Sequence, residues 1–188
     1  MSTQLYAVLL LWLLWLVFWS VSARFTKPTR WEEARGSRRA HLMFSLAAAW
    51  LLCLPQLLPP ALRAWIIPYS SGLAWWGVAI VVVSLGYSVW ARVHLGRNWS
   101  AAVAVKQDHE LVRSGPYRHV RHPIYTGMIL ALAGTTIALD QWRAPLSLAL
   151  ITFALVRKLR QEEKRMGEIF PEYAEYRKTS AALLPYIY

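Results

Sequence analysis

Two short groups of side chains in this sequence could do chemistry. The first is the run Arg113-Ser114-Gly115-Pro116-Tyr117-Arg118-His119-Val120-Arg121-His122-Pro123-Ile124-Tyr125-Thr126-Gly127, in which three arginines, two histidines and two tyrosines stand between apolar segments. The second is the pair Glu162-Glu163, just past the end of a later apolar segment. A carboxylate accepts hydrogen bonds from hydroxyl and ammonium donors, and an imidazole both donates and accepts. Tyrosine faces attract cations. Each group also has a plain structural use. The arginines could anchor a membrane face, the glutamates could pair with Lys158, Lys164 or Arg165 along a helix, and Tyr173 and Tyr176 could sit at an interface. It is the combination that points to an active site.

The elements that must position these groups are helices in a membrane. Pro123 suits the first position of a helix, where its missing N–H has no partner to lose. The polar run therefore feeds directly into an apolar helix. Of the 188 residues, 56% are hydrophobic and only 16% charged, against about a quarter charged in soluble domains. The length is that of one domain. A net charge of +11 fits basic loops facing anionic lipid better than it fits nucleic acid. The single Cys53 permits no internal disulfide. No cysteine and histidine cluster has zinc spacing, and no glycine-rich loop follows a strand, so a metal site and a soluble dinucleotide fold are not expected.

Five membrane spans are expected in one domain, residues 1–188, with three in 1–94 and a catalytic half in 95–188. Gln4 to Ala23 is about long enough to cross a hydrocarbon core and reads as a retained span. A basic loop, Arg24 to Arg39, leads to the second run, His41 to Leu58, kinked or ended at Pro55. The third run is Gly72 to Val93, with Trp75, Trp76 and Trp90 near its ends, as in aromatic belts. Pro123 to Leu139 is the fourth, with the small residues Gly127, Ala131, Ala133 and Gly134 that let membrane helices approach. After a turn at Asp140 to Ala144, the fifth opens at Pro145 and crosses by about Leu159. A charged helix continues to near Ile169, and a short one follows Phe170-Pro171. All 21 lysines and arginines except Arg63 and Arg143 fall in 24–40, 92–122 and 157–178. The positive-inside rule places those segments in the cytoplasm and the N-terminus outside. The fourth and fifth runs should form an antiparallel hairpin, which brings Glu162-Glu163 close to His122, Pro123 and Tyr125.

Arg121-His122-Pro123-x-Tyr125-x-Gly127, followed after the hairpin by Glu162-Glu163, resembles the signature of the isoprenylcysteine carboxyl methyltransferase family, membrane enzymes related to phospholipid methyltransferases. The likeness extends upstream to Leu95-Gly96-Arg97-Asn98-Trp99-Ser100 and His109-Glu110-Leu111-Val112. Downstream it takes in Phe170-x-x-Tyr173-x-x-Tyr176 and Leu184-Pro185, so that it covers residues 95–185.

The resemblance implies an all-α membrane fold with a cytosolic pocket for S-adenosyl-L-methionine. It implies cofactor contacts at His109, Glu110, Leu111, Val112, Tyr117, His122, Pro123, Ile124, Tyr125 and Glu162, with Gly127 and Glu163 as further motif members. Gly127, one turn into its helix, would leave room for the ligand. The catalytic candidates are Arg121, Arg157 and Lys158. A family arginine that meets the acceptor's carboxylate falls at Lys158, a departure that leaves the acceptor group open. A carboxylate or thiolate acceptor needs no strong base, whereas an amine must shed a proton. The expected partner is a lipophilic small molecule or lipid, with an isoprenylcysteine-like carboxylate ahead of a phospholipid or a small thiol. Two other classes are a sterol-reductase-like enzyme using a nicotinamide cofactor and a non-enzymatic membrane scaffold.

Overall fold

Helix α1, Thr3–Ser22, opens the chain on the N-cap of Ser2, whose hydroxyl accepts from the Leu5 amide. The computed structural model describes residues 2–26, 29–32, 35–68, 70–99, 104–106 and 111–184. After α1 come a short strand β1 (Thr29–Glu32), α2 (Arg35–Cys53), a single turn α3 (Pro60–Arg63) and the long α4 (Ser71–Leu95). Strand β2 (Ala104–Lys106), α5 (Pro123–Leu139), α6 (Arg143–Ile169) and α7 (Tyr173–Thr179) complete the described residues. The architecture is helical, as expected. The one addition is the antiparallel pairing of β1 with β2, Thr29 opposite Lys106 and Glu32 opposite Ala104.

The helices pack in the spatial order α1, α4, α5, α6, α2. Polar side chains tie α1 to its neighbours: Gln4 donates to Ser71 at 2.8 Å, Trp12 to Thr135 at 3.0 Å and Trp15 to Ser88 at 3.3 Å. The main partner of α5 is α4 rather than α6, because small residues meet there. A methyl group added at Gly127 would lie 2.7 Å from the Ser84 carbonyl oxygen and 2.7 Å from Ser88 Cβ. The space at Gly127 is thus filled by α4 and not left for a ligand, which corrects the expectation from the sequence. Helix α6 packs on α2, where Arg143 donates to the Leu51 and Leu52 carbonyls and Ser147 to that of Ala48.

Outside this core, α1 and α4 turn Leu9, Leu10, Leu13, Trp76, Val83 and Val93 outward. These two helices are long and apolar enough to cross a membrane, and α2 from Arg39 and α5 are shorter apolar helices. Polar segments gather at one end of the bundle, where β1 pairs with β2 and Arg121 meets Glu163. At the other end the connector after α3 clasps the α5–α6 turn, with the Ile66 amide bonded to the Asp140 carbonyl at 3.1 Å.

The element boundaries follow local chemistry. Helix α2 stops at Cys53 because Pro55 cannot continue it, and Pro55–Leu57 form one tight turn. Asp140 ends α5 in the left-handed region at φ 49°. Helix α6 starts at Arg143, two residues ahead of Pro145, which sits in its first turn where no N–H is needed. It then runs unbroken through the charged stretch to Ile169.

Candidate active site

Pro123 begins α5, so His122 stands at the helix entrance and Tyr125 within its first turn. Glu162 and Glu163 lie on the last turns of α6. The two helix ends bring these side chains together. Tyr125 donates to Glu162 Oε1 at 2.7 Å. His122 Nδ1 lies 3.5 Å from Glu162 Oε2, and its Nε2 lies 3.5 Å from Glu163 Oε1. The imidazole thus bridges two successive carboxylates, and its ring is parallel to that of Tyr125 at 5.5 Å. Arg121 Nε donates to Glu163 Oε1 at 2.6 Å.

Lys158 enters from one turn earlier on α6. It is buried, with its ammonium 3.9 Å from Glu162 and 5.6 Å from the Tyr125 ring centre. Arg157 precedes it, about 100° round the helix, and is half-buried.

The charges set the protonation of the cluster. Burial alone would lower the His122 pKa and raise those of the glutamates. The mutual contacts outweigh burial in each case. His122 is raised by the two carboxylates, and Glu162 is lowered by His122, Lys158 and Tyr125. Glu163 is held at about 2 by His122 and Arg121. The site therefore favours an imidazolium between two carboxylates.

The other expected contacts fall in different places. Tyr117 and Ile124 are buried in a cluster with Ala91, against which Val112 packs. The Tyr117 hydroxyl donates to the Ala91 carbonyl at 3.3 Å, and its own carbonyl accepts from Tyr176 at 2.5 Å. Tyr117 is thus used as a packed brace between α4 and α7. Leu111 is half-buried. His109 and Glu110 lie outside the described residues.

Some residues at the site carried no readable signal. Thr126 donates to the Leu183 carbonyl at 2.8 Å, and Ser180 accepts from Arg121 through its carbonyl. His94 bonds Ser114 at 2.9 Å and lies over Tyr117. A lone histidine or serine at a helix end has no spacing to mark it. Beside the cluster is a cavity of about 260 Å³ between α5 and α6, lined by Thr126, Ile129, Leu130, Val156, Leu183 and Leu184, with Arg160 also on its wall.

Residues 77–168 match the model of the isoprenylcysteine carboxyl methyltransferase family. That stretch contains both halves of the helix-end cluster. The match takes in just under half of this chain, which is thus similar to that family. A protein-S-isoprenylcysteine O-methyltransferase of Saccharomyces cerevisiae is 36% identical over 99 residues, 49% of this chain and 40% of that protein. The cobalt-zinc-cadmium resistance protein CzcN of Cupriavidus metallidurans is 31% identical over 111 residues, 57% of this chain and 51% of its own length. A probable protein-S-isoprenylcysteine O-methyltransferase of Oryza sativa subsp. indica is 28% identical over 158 residues, 80% of this chain and 78% of that one. The chain spans about half the length of the first two of these relatives. In fold it is similar to the solved eukaryotic intramembrane Ras methyltransferase of this family, with a TM-score of 0.52 at 20% identity. The match covers 78% of this chain and 62% of that one.

Proposed function

We propose that this chain is a multi-pass membrane methyltransferase that takes S-adenosyl-L-methionine as donor and methylates a lipophilic acceptor, an isoprenylcysteine-like carboxylate being favoured. The observation that carries this reading is the helix-end cluster, in which His122 bridges Glu162 and Glu163 beside Tyr125 and Lys158. The match of residues 77–168 to the family model and the names of two relatives support it.

The donor's functional groups suit these residues. Glu162 keeps lone pairs beyond the one used by Tyr125, and they suit ribose hydroxyls or an ammonium. His122 Nε2 is buried and faces Glu163 Oε1 at 3.5 Å, longer than an ordinary N–H···O bond, so a polar group of a ligand would compete with Glu163 for it. Tyr125 presents a face to a cation or a flat base. His109, Glu110, Leu111, Val112 and Pro123 are the further contacts expected of that surface, whereas Tyr117 and Ile124 support it from the packed cluster behind. When bound, the donor supplies a methyl group already activated by a sulfonium. The protein's task is then to position the two reactants and keep water out.

Lys158 and Arg157 are assigned to the acceptor end, where a cation steadies a carboxylate without any base being needed. The apolar cavity under Leu183 and Leu184 offers room for an aliphatic portion. In this reading α1, α2, α4, α5 and the first part of α6 are the five spans, and the N-terminus is outside. The polar segments at one end of the bundle, where β1 pairs with β2 and Arg121 meets Glu163, are consistent with that arrangement.

Calorimetric and thermal-shift titration of the purified protein with S-adenosylmethionine or S-adenosylhomocysteine tests the donor. Absence of both heat and shift at millimolar ligand would overturn it. A labelled-methyl assay against prenylcysteine, phospholipid and small-thiol acceptors then decides the substrate class.

A further inference from the structure

Arg121 is engaged on two sides at once. Its Nε donates to Glu163 on α6, while a terminal nitrogen donates to the Ser180 carbonyl and, at 3.3 Å, to that of Arg177. Only 8% of its side chain is exposed. The segment it reaches, residues 180–184 after α7, lies as a strap along residues 119–122. The Arg121 amide donates to the Ala181 carbonyl at 2.8 Å, the His122 amide to that of Ala182 at 3.1 Å, and the Ala181 amide to that of His119 at 3.0 Å. Val120 and Ala181 pair in parallel. Thr126 holds the next residue, Leu183. All of these ties land on His122 or within a turn of it. So short a strand contact is marginal by itself, and among these groups the guanidinium joins loop, α6 and strap together. A lysine could not do the same, because it offers one point charge where arginine offers a fork.

We propose that Arg121 is a positioning residue: with Glu163 it latches the C-terminal strap against the His122 edge of the site, and it acts on the reacting molecules only through that wall. Leu183 and Leu184 of the strap also line the 260 Å³ cavity, so the same latch holds a wall of both compartments. The functional half of this inference rests on the donor reading above.

The test uses the full chain with S-adenosylhomocysteine as probe and hydrogen exchange at the amides of Arg121, His122 and Ala181. Arg121→Gln is expected to speed exchange at all three and to weaken probe binding about tenfold, the scale of one lost charge-assisted bond. Arg121→Lys should recover part of both effects. The decisive arm is a cross-link between Val120→Cys and Ala181→Cys, the two positions that pair across the strap, in a Cys53→Ser background. Oxidation should restore probe affinity to the Arg121→Gln protein, and reduction should remove it again.

A side chain that touches the ligand could not be replaced by a bond elsewhere. Recovery of amide protection without recovery of affinity would therefore overturn the positioning role, as would unchanged exchange and affinity in Arg121→Gln. Should that variant fail to fold, Glu163→Gln removes the other half of the latch and is judged by the same two readouts. If the unaltered protein binds no probe, the donor reading fails, while the exchange measurement still decides whether the latch exists.

Discussion

Tyr125 and Glu162, one from the start of α5 and one from the end of α6, are joined by a hydroxyl-to-carboxylate bond of 2.7 Å, and the same tyrosine ring lies parallel to His122. The contact ties two helix ends together, with the Lys158 ammonium 5.6 Å from the centre of the same ring. Tyr125→Phe keeps the ring and removes the donor. The expected loss is about 1 kcal/mol of stability, seen as a fall of a few degrees in melting temperature, together with weaker binding of S-adenosylhomocysteine. An unchanged melting curve would mean that the bond carries no net stability.

Glu162→Ala and His122→Ala should each weaken S-adenosylhomocysteine binding about tenfold or more, and neither should unfold the protein. Because the two side chains face each other, the double variant should lose less than the sum of the singles. Calorimetric titration of all four proteins measures this coupling. Additive losses would place the two residues on separate parts of the ligand.

Gly127→Ala sets a methyl group against backbone and side-chain atoms of α4. Overpacking of this kind costs about 1–3 kcal/mol, or roughly 2–10 °C in melting temperature for a chain of this size. Gly86→Ala, on the same helix pair but with nothing within 4 Å of the added carbon, is the control. It should leave stability unchanged or raise it slightly, since alanine favours helix over glycine. Equal effects at both positions would show that the α4–α5 contact is looser than described.

The cluster also makes stability depend on pH on both sides of a window. Glu163 is lowered from 4.5 to about 2, so its contribution is present above 4.5 and is lost as pH falls from there toward 2. His122 is raised from 6.5, so its contribution is present below 6.5 and is lost as pH rises through the higher value. Melting temperature should therefore be greatest between about 4.5 and 6.5 as far as this cluster decides it. Glu163→Gln should flatten the acid limb and His122→Asn the alkaline one. Limbs of the same steepness in variants and unaltered protein would assign the dependence to other groups.

Much of this arrangement was legible in the sequence, because it depends on local rules. The first apolar run, expected over 4–23, is α1 at Thr3–Ser22. The His-Pro junction is the start of α5. The turn between α5 and α6 is short enough that Glu162 had to return near His122. Hydropathy, however, says which residues avoid water and not which neighbour they meet. The sequence offered the small residues of α5 but nothing to say that Gly77, Ser84 and Ser88 of α4 would face them. The strap was equally hidden. Its backbone bonds between 119–122 and 181–182 need no particular side chains, so residues 180–184 carry no strand alternation.

Helix α6 carries both a mooring and the acids: Arg143 and Ser147 grip the carbonyls of α2 near one end, and Glu162 and Glu163 project near the other. A rod of 27 residues measures about 40 Å. A tilt of a few degrees at the mooring would swing the carboxylates by roughly 2–3 Å, which is enough to make or break every bond they form. Lipid pressure or a substitution at the far side of the bundle could thus alter chemistry it never touches, by leverage alone.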